Sequence, residues 1–296
     1  LEGRFLTLAV TPEQEGRTVD VLLRRALFLS GTLIKRAKSL PEGITLDGLS
    51  APANLRVKAG QVLSVFIGDT DAGGVPPVRG PLDIVYEDED LILLNKQPGA
   101  AVHPGPGHHG DTLGNFLAFY YRQQGLTAGI HPVNRLDRGT SGLMAAAKHA
   151  YAQERLRSQL HTGDFQRTYL AVCRGVPAPF SGVLDAPIAR AEGSALRREV
   201  REDGRSARTA YEVLKVHGGR ALVRLVPETG RTHQIRVHMA YLVCPLVGDF
   251  LYGAEERELI SRPALHSHTL SLIHPVTGER LSRSVPLPED MAALLD

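Results

Sequence analysis

Apolar and polar residues alternate along the opening third of the chain with two different periods. In T-V-D-V-L-L-R-R-A-L, and again in S-G-T-L-I-K-R-A-K-S-L, the apolar positions fall three or four apart, as on a helix with one buried face. Asp20 stands near the start of the first segment and Ser30 precedes the second as an N-cap, so two short helices follow one another. G-I-T-L-D-G-L then carries an Asp47-Gly48 turn, and Q-V-L-S-V-F-I reads as a strand, completing a helix-helix-strand module over 15–67. Residues 68–81, G-D-T-D-A-G-G-V-P-P-V-R-G-P, are rich in Gly, Pro and Asp and read as a flexible linker.

From 82 onward, L-D-I-V-Y-E-D-E-D-L-I-L-L-N-K reads as two strands joined by an acidic turn, and D-T-L-G-N-F-L-A-F-Y-Y-R as a helix capped by Asp111. H-G-G-R at 217–220 separates A-Y-E-V-L-K-V from A-L-V-R-L-V, which predicts an antiparallel hairpin. The expectation is an α+β domain over 82–296, built on a mixed and mostly antiparallel sheet and preceded by a small α/β module.

Composition adds limits. The 296 residues are 43% hydrophobic and 22% charged, the balance of a folded globular chain. No apolar run reaches the ~18 residues of a membrane span, and the start lacks a charged segment followed by an apolar one. The opening L-E-G-R has no initiator Met, is expected to follow a trimmed segment, and is set aside from the fold. Cys173 and Cys244, each alone in an apolar stretch, suit buried thiols in a reducing cytoplasm better than a disulfide. The net charge of +2 says little, but its distribution says more. Between 15 and 67, Arg17, Arg24, Arg25, Lys35, Arg36, Lys38, Arg56 and Lys58 face only Glu15, Asp20, Glu42 and Asp47, leaving the remainder of the chain net acidic.

Candidate chemistry is concentrated in a few segments. In N-R-L-D-R-G-T-S-G-L (134–143), Asp137 lies between Arg135 and Arg138, ahead of residues suited to a tight turn with backbone donors nearby. An isolated Asp in such a loop more often forms an Asx-turn than a catalytic group. Q-R-T-Y-L-A-V-C-R-G supplies Arg167 and Tyr169 on a strand, where a Tyr is ordinarily a packing residue. T-G-R-T-H-Q-I-R-V-H (229–238) holds Arg231 and Arg236; its His233 and His238 lack the H-E-x-x-H spacing of a zinc helix and are assigned to packing or RNA contact. His103, His108 and His109 lie in a Pro/Gly-rich loop, 103–110, with no acid or Cys to complete a metal site, and the loop is expected to face the active site or RNA. In P-L-V-G-D-F-L-Y-G (245–253), Gly248 and Asp249 read as turn-forming scaffold.

In this order, the segments resemble those of RluA-type pseudouridine synthases, and the resemblance runs from about 82 to the C-terminus. It implies that Asp137 is the essential catalytic carboxylate, paired with Arg236, and that Arg135 helps displace the target base, which stacks on Tyr169. Arg231 is grouped with the RNA contacts. The module at 15–67 is similar to a divergent S4-like RNA-binding domain, with Lys35, Arg36 and Lys38 on its exposed helix. Two departures are Asn134, where the family commonly has His, and Gln97, where Pro commonly follows the Lys; both bear on substrate choice. The implied reaction breaks the N1–C1′ bond of uridine and rejoins the base through C5, so no atom is gained or lost and neither cofactor nor metal is expected. Ribosomal RNA is the first expected partner and transfer RNA the second, for a cytoplasmic monomer. Two other readings stay open: a non-catalytic RNA-binding or folding factor, and a glycosidase-like hydrolase, which needs a second acid ~5–10 Å from Asp137.

Overall fold

The computed structural model describes residues 3–105, 107–160 and 162–296. Its first unit consists of β1 (Phe5–Ala9), α1 (Val19–Arg25), α2 (Gly31–Lys38), β2 (Ile44–Leu46), β3 (Leu49–Ser50) and β4 (Val62–Phe66). The hydroxyls of Thr18 and Ser30 accept from Val21 N and Leu33 N at the two helix starts, meeting orphan donors that the helix itself cannot satisfy. Asp47 and Gly48 both take positive φ, which permits the tight turn from β2 to β3. The sheet order is β1-β4-β2-β3, and Val19, Leu22, Leu23, Leu33, Ile34 and Ala37 pack the two helices onto it. Strand β1 precedes the span assigned to this module from the sequence; it pairs along its whole length with β4, Phe5 opposite Phe66 and Ala9 opposite Val62.

The larger unit contains β5 (Ile84–Glu87), β6 (Leu91–Lys96), α3 (Leu113–Gln123), β7 (His131–Pro132), β8 (Ser141–Ala147), α4 (Ala150–Gln159), β9 (Gln166–Arg174) and β10 (Ser181–Asp185). A separate hairpin of β11 (Ile188–Arg190) and β12 (Arg198–Val200) follows, then β13 (Arg208–His217), β14 (Arg220–Pro227), α5 (Gln234–Tyr241), β15 (Leu265–Ile273), β16 (Arg280–Ser284) and α6 (Glu289–Ala292). Ten strands form one sheet, in the order β10-β13-β14-β9-β15-β8-β6-β5, with β16 added to β15 and β7 to β8. Only the β8–β15 pair is parallel, so the fold is the mixed, mostly antiparallel α+β arrangement that the sequence predicts.

Both faces of the central strands are buried, and the two-residue period of a strand sorts their side chains. Ile92, Leu94, Met144 and Ala146 meet Leu113, Leu117 and Tyr121 of α3 on one face. Leu91, Leu93, Leu143 and Ala145 meet Ala152 and Leu156 of α4 on the other. Each large apolar side chain buried in this way contributes about 1.5–3 kcal/mol. The face covered by α3 also carries Leu136, Tyr169 and Ile235, so the three segments singled out for chemistry root in one core.

Two local expectations are corrected. Helix α3 is capped by Thr112, whose hydroxyl accepts from Asn115 N, while Asp111 pairs with His108 at 2.6 Å. Residues 68–81, read as a flexible linker, carry anchors: Asp69 accepts from Gly129 N (2.8 Å), pairs with His131 (2.6 Å) and bonds Arg36 (3.3 Å). Pro76 O accepts from the Asn115 side chain, and Val78 N donates to Asn115 O. Among the described residues, no helix is long and apolar enough to cross a membrane.

Candidate active site

The loop between β7 and β8 is fixed from behind by buried groups. Leu136 points into the core, which turns its neighbours Arg135 and Asp137 outward; the Asp137 side chain is 34% exposed and Arg135 lies in solvent. Thr140 N donates to Asp137 O and closes the turn. Lys96, 1% exposed at the end of β6, donates from Nζ to the carbonyls of Gln97 (2.9 Å), Ala100 (3.0 Å) and Arg138 (3.0 Å). Burial, with Arg262 adding its repulsion, lowers the Lys96 pKa to about 8. Arg262 donates to Leu265 O (3.2 Å) and Gly139 O (3.4 Å) while Asp290 holds its other edge at 2.8 Å. Asn134 is buried, and its Oδ1 accepts from Ala145 N at 2.8 Å, tying the loop to β8. Gly142 is required where β8 meets β15: its φ is +105°, and a Cβ there would lie 2.2 Å from Ser267 O.

Helix α5 delivers the opposing groups. His233 starts it in the left-handed conformation, and Gln234 through Met239 are buried. Arg236 Nη1 lies 3.7 Å from Asp137 Oδ2, close enough for an ion pair but too far for a hydrogen bond. Its hydrogen bonds go instead to Asp249, from Nε and Nη2, both at 2.7 Å. Asp249, which the sequence suggests is only a turn-former, is 0% exposed and also accepts from Leu251 N and Tyr252 N. Burial works against the charge of Arg236, but the bond to Asp249 together with the charges of Asp249 and Asp137 outweighs it, so its pKa is raised. The Tyr252 ring lies 5.0 Å from the Arg236 guanidinium.

His233 Nε2 is 3.8 Å from Asp137 Oδ2, and its Nδ1 is 2.8 Å from the Tyr252 hydroxyl, which accepts from Arg198 N of β12. Burial lowers the pKa of His233, so the ring is neutral at neutral pH. His238 is a satisfied core histidine, between Thr209 Oγ1 and Ala186 O at 2.9 Å each.

Tyr169 of β9, opposite Ser267 of β15, lies within reach of the Asp137 charge with only 6% of its surface open, and burial raises its pKa. Arg167, two residues away on the same strand face, has its Nη1 3.5 Å from where a Cβ on Gly230 would lie and leaves its buried Nε without a protein partner. Arg231 donates to Ser206 O at 2.9 Å. The loop at 103–110, of which Pro106 lies outside the described residues, approaches the same rim: burial and the charge of Arg135 together lower the His103 pKa.

Asp137, Tyr169, Arg236 and Arg167 therefore lie near one another and Arg135 stands in solvent two residues from Asp137, whereas Lys35, Arg36 and Lys38 belong to α2 of the first unit. Lys35 and Lys38 are exposed; Arg36 is engaged with Asp69 and Gly68 O. Sequence reasoning leaves out Lys96, Asp249, Tyr252 and Arg262 as working parts of the site. Three of these, Lys96, Asp249 and Tyr252, stand in segments that resemble the family, but the segments do not show what each side chain meets.

Residues 90–241 match the family described as RNA pseudouridylate synthase. An uncharacterised RNA pseudouridine synthase of Bacillus subtilis is 36% identical over 99% of this chain and 97% of its own. The ribosomal large subunit pseudouridine synthase D of Xanthomonas campestris is 36% identical over 98% of this chain and 92% of its own. Among solved structures, human RNA pseudouridylate synthase domain containing 1 aligns with a TM-score of 0.60 at 26% identity, over 76% of this chain and 90% of that one. The chain belongs to the RNA pseudouridine synthase family and is an enzyme that isomerises uridine in RNA.

Proposed function

We propose that Asp137 is the catalytic carboxylate of this isomerase and that its substrate is a uridine in structured ribosomal RNA. The observation that carries the first part is the position of Asp137: a half-open carboxylate facing Arg236 at 3.7 Å, on a loop braced by Lys96 and Arg262. Such bracing limits reorganisation when the carboxylate acts. Its role is either attack on the sugar or ring, or proton removal from the ribose. In both routes the glycosidic bond breaks, the uracil turns over the Tyr169 ring, and C5 bonds to C1′ before its proton leaves. Extruding the base costs a few kcal/mol, which an Arg135 side chain entering the vacated stack partly offsets.

The choice of ribosomal RNA is supported by the large-subunit synthases of Xanthomonas campestris and Vibrio cholerae, 36% and 37% identical over 98% of this chain. Transfer RNA is the second candidate. The first unit is read as an S4-like RNA-binding module, supported by the exposed Lys35 and Lys38 on α2. The free, buried thiols of Cys173 and Cys244 suit the reducing cytoplasm.

The test is carbodiimide and primer-extension mapping of pseudouridine in total RNA from cells with the intact gene, its deletion, or Asp137→Asn. The expected result is loss of the same ribosomal positions in the deletion and the variant, with a rate reduced about 10²–10⁴-fold or more in vitro. A variant that restores every modification removes Asp137 from the mechanism; sites confined to transfer RNA replace the substrate.

A further inference from the structure

We propose that the first unit is a fixed measuring arm. Its joint to the larger unit holds Lys35 and Lys38 at a set distance and direction from Asp137, so the enzyme selects a uridine by its position relative to a second helical segment of the same RNA. The proposal rests on the reading of the first unit as an RNA-binding module.

Among the described residues, three anchors on different elements make the joint. The first is on α4: Tyr151 belongs to the apolar core of the first unit, and its hydroxyl donates to Leu27 O at 3.0 Å. Beside it, Ser30 donates to Glu154 at 3.1 Å and Arg155 covers the Phe28 ring at 4.5 Å. Phe28 stands at φ +55°, a left-handed conformation that a bulky residue keeps only when its surroundings impose it. The second anchor is Arg4, ahead of β1, whose Nε and Nη2 donate to the two oxygens of Asp90 at 2.8 and 2.9 Å. The third is on α2 itself: Arg36 bonds Asp69 Oδ1 at 3.3 Å, while Asp69 Oδ2 meets Gly129 N at 2.8 Å and His131 at 2.6 Å. His131 lies in β7, the strand that runs into the Asp137 loop.

One anchor permits rotation, but three on separate elements do not. Two of them are shielded from water, since the side chains of Asp90 and Asp69 are 3% and 8% exposed, so parting either pair strands a buried carboxylate. On α2 the anchored residue is Arg36, and Lys35 and Lys38 on either side of it are exposed. Cations fixed in this way need no ordering when they meet phosphates, so affinity depends on whether the RNA presents its backbone at the matching place. A flexible tether tolerates any spacing within its reach; residues 68–81, bonded to Gly129 and to Asn115 of α3, are not such a tether.

The experiment uses the full chain and a ribosomal RNA fragment containing a uridine that it modifies. Hydroxyl-radical footprinting with wild type and K35A/K38A first finds the phosphates that the two lysines protect; extra base pairs are then inserted between those phosphates and the uridine. Single-turnover isomerisation is read for natural and lengthened fragments and for the uridine's own stem-loop, with wild type and with the loosened variant R4Q/Y151A. Expected for wild type is a fall in kcat/KM of about tenfold or more on lengthening. In R4Q/Y151A the natural and lengthened fragments should become equivalent, with stem-loop turnover and the log–log salt slope unchanged, because the same phosphates are still met. R4Q/Y151F serves if the larger truncation unfolds the first unit, as thermal unfolding will show, and the wild-type spacing series decides alone if neither folds. A wild-type enzyme indifferent to inserted pairs, or a folded loosened variant that discriminates as wild type does, overturns the measuring arm. If K35A/K38A releases no phosphates, the RNA-binding reading of the first unit fails and takes the proposal with it; released phosphates with indifference to spacing sink the proposal alone.

Discussion

Lys96 is a charged group placed where charge is costly, and its pH behaviour separates stability from activity. Its folded pKa of about 8 lies below the 10.5 of an unburied lysine, so the folded state binds fewer protons between those values. Stability attributable to Lys96 therefore rises with pH across that window, as the cost of the buried charge is relieved. Over the same window the neutral amine keeps two N–H donors for three carbonyls, and one tie to the Asp137 loop is given up. The expected outcome is an alkaline limb in kcat near pH 8 with no matching fall in thermal stability; Lys96→Met should lack the limb. Nothing in L-I-L-L-N-K announces this role, because periodicity reports whether a position is buried but not what it meets there. The carbonyl of Arg138 comes from a different strand-loop unit, 42 residues on. Asp137, Tyr169 and Arg236 are singled out for the opposite reason: the segments that hold them resemble those of the family. Asp249 is not, because the structure joins it to Arg236 across the end of α5.

Helix α2 shows what an element adds to its residues. Leu33, Ile34 and Ala37 face the core, which leaves Lys35 and Lys38 in solvent and turns Arg36 toward Asp69. The three cations grouped together from the sequence therefore divide between two surroundings. Replacing Lys35 and Lys38 by Ala should weaken RNA binding and shallow the log–log salt slope by about 1 for each phosphate no longer neutralised. Arg36→Ala should leave the slope unchanged and instead speed proteolysis within 68–81; an equal reduction of slope would return Arg36 to the RNA-binding face. Elements with local signals are readable: the Ser30 cap, the Asp47-Gly48 turn and the hairpin at 217–220, where Gly218 and Gly219 take positive φ. Strand β1 escapes the sequence reading although F-L-T-L-A has the composition of a strand, because its pairing partner lies more than fifty residues on. Thr112 displaces Asp111 as the cap because Asn115 completes its capping box.

At the scale of the whole molecule, the two units are joined by side chains rather than by chain alone. Tyr151 of α4 packs into the core of the first unit and donates its hydroxyl to Leu27 O, and Arg155 lies 4.5 Å from the Phe28 ring. Arg4 donates twice to Asp90, at 2.8 and 2.9 Å, and His149 approaches the same carboxylate at 3.0 Å. Burial raises the Asp90 pKa, but the bonds from His149 and Arg4 outweigh it and leave it lowered. For a carboxylate depressed on folding, the stabilisation is complete above the unfolded value of 3.8 and is lost as pH falls through the folded one. Asp90→Asn should therefore show a shallower decline of unfolding free energy below about pH 3.8, read by denaturant titration; an unchanged slope would place the acid sensitivity elsewhere. No periodicity assigns Tyr151 to the core of its neighbour. The sheet order carries one more consequence. Strand β15 lies between β9 and β8 and is the sole bridge between the half that bears Tyr169 and the half that leads out of the Asp137 loop. During synthesis both halves emerge before their keystone, so the nascent chain is expected to be unable to isomerise uridine until residue 273 has cleared the ribosome and the two half-sheets are stitched together.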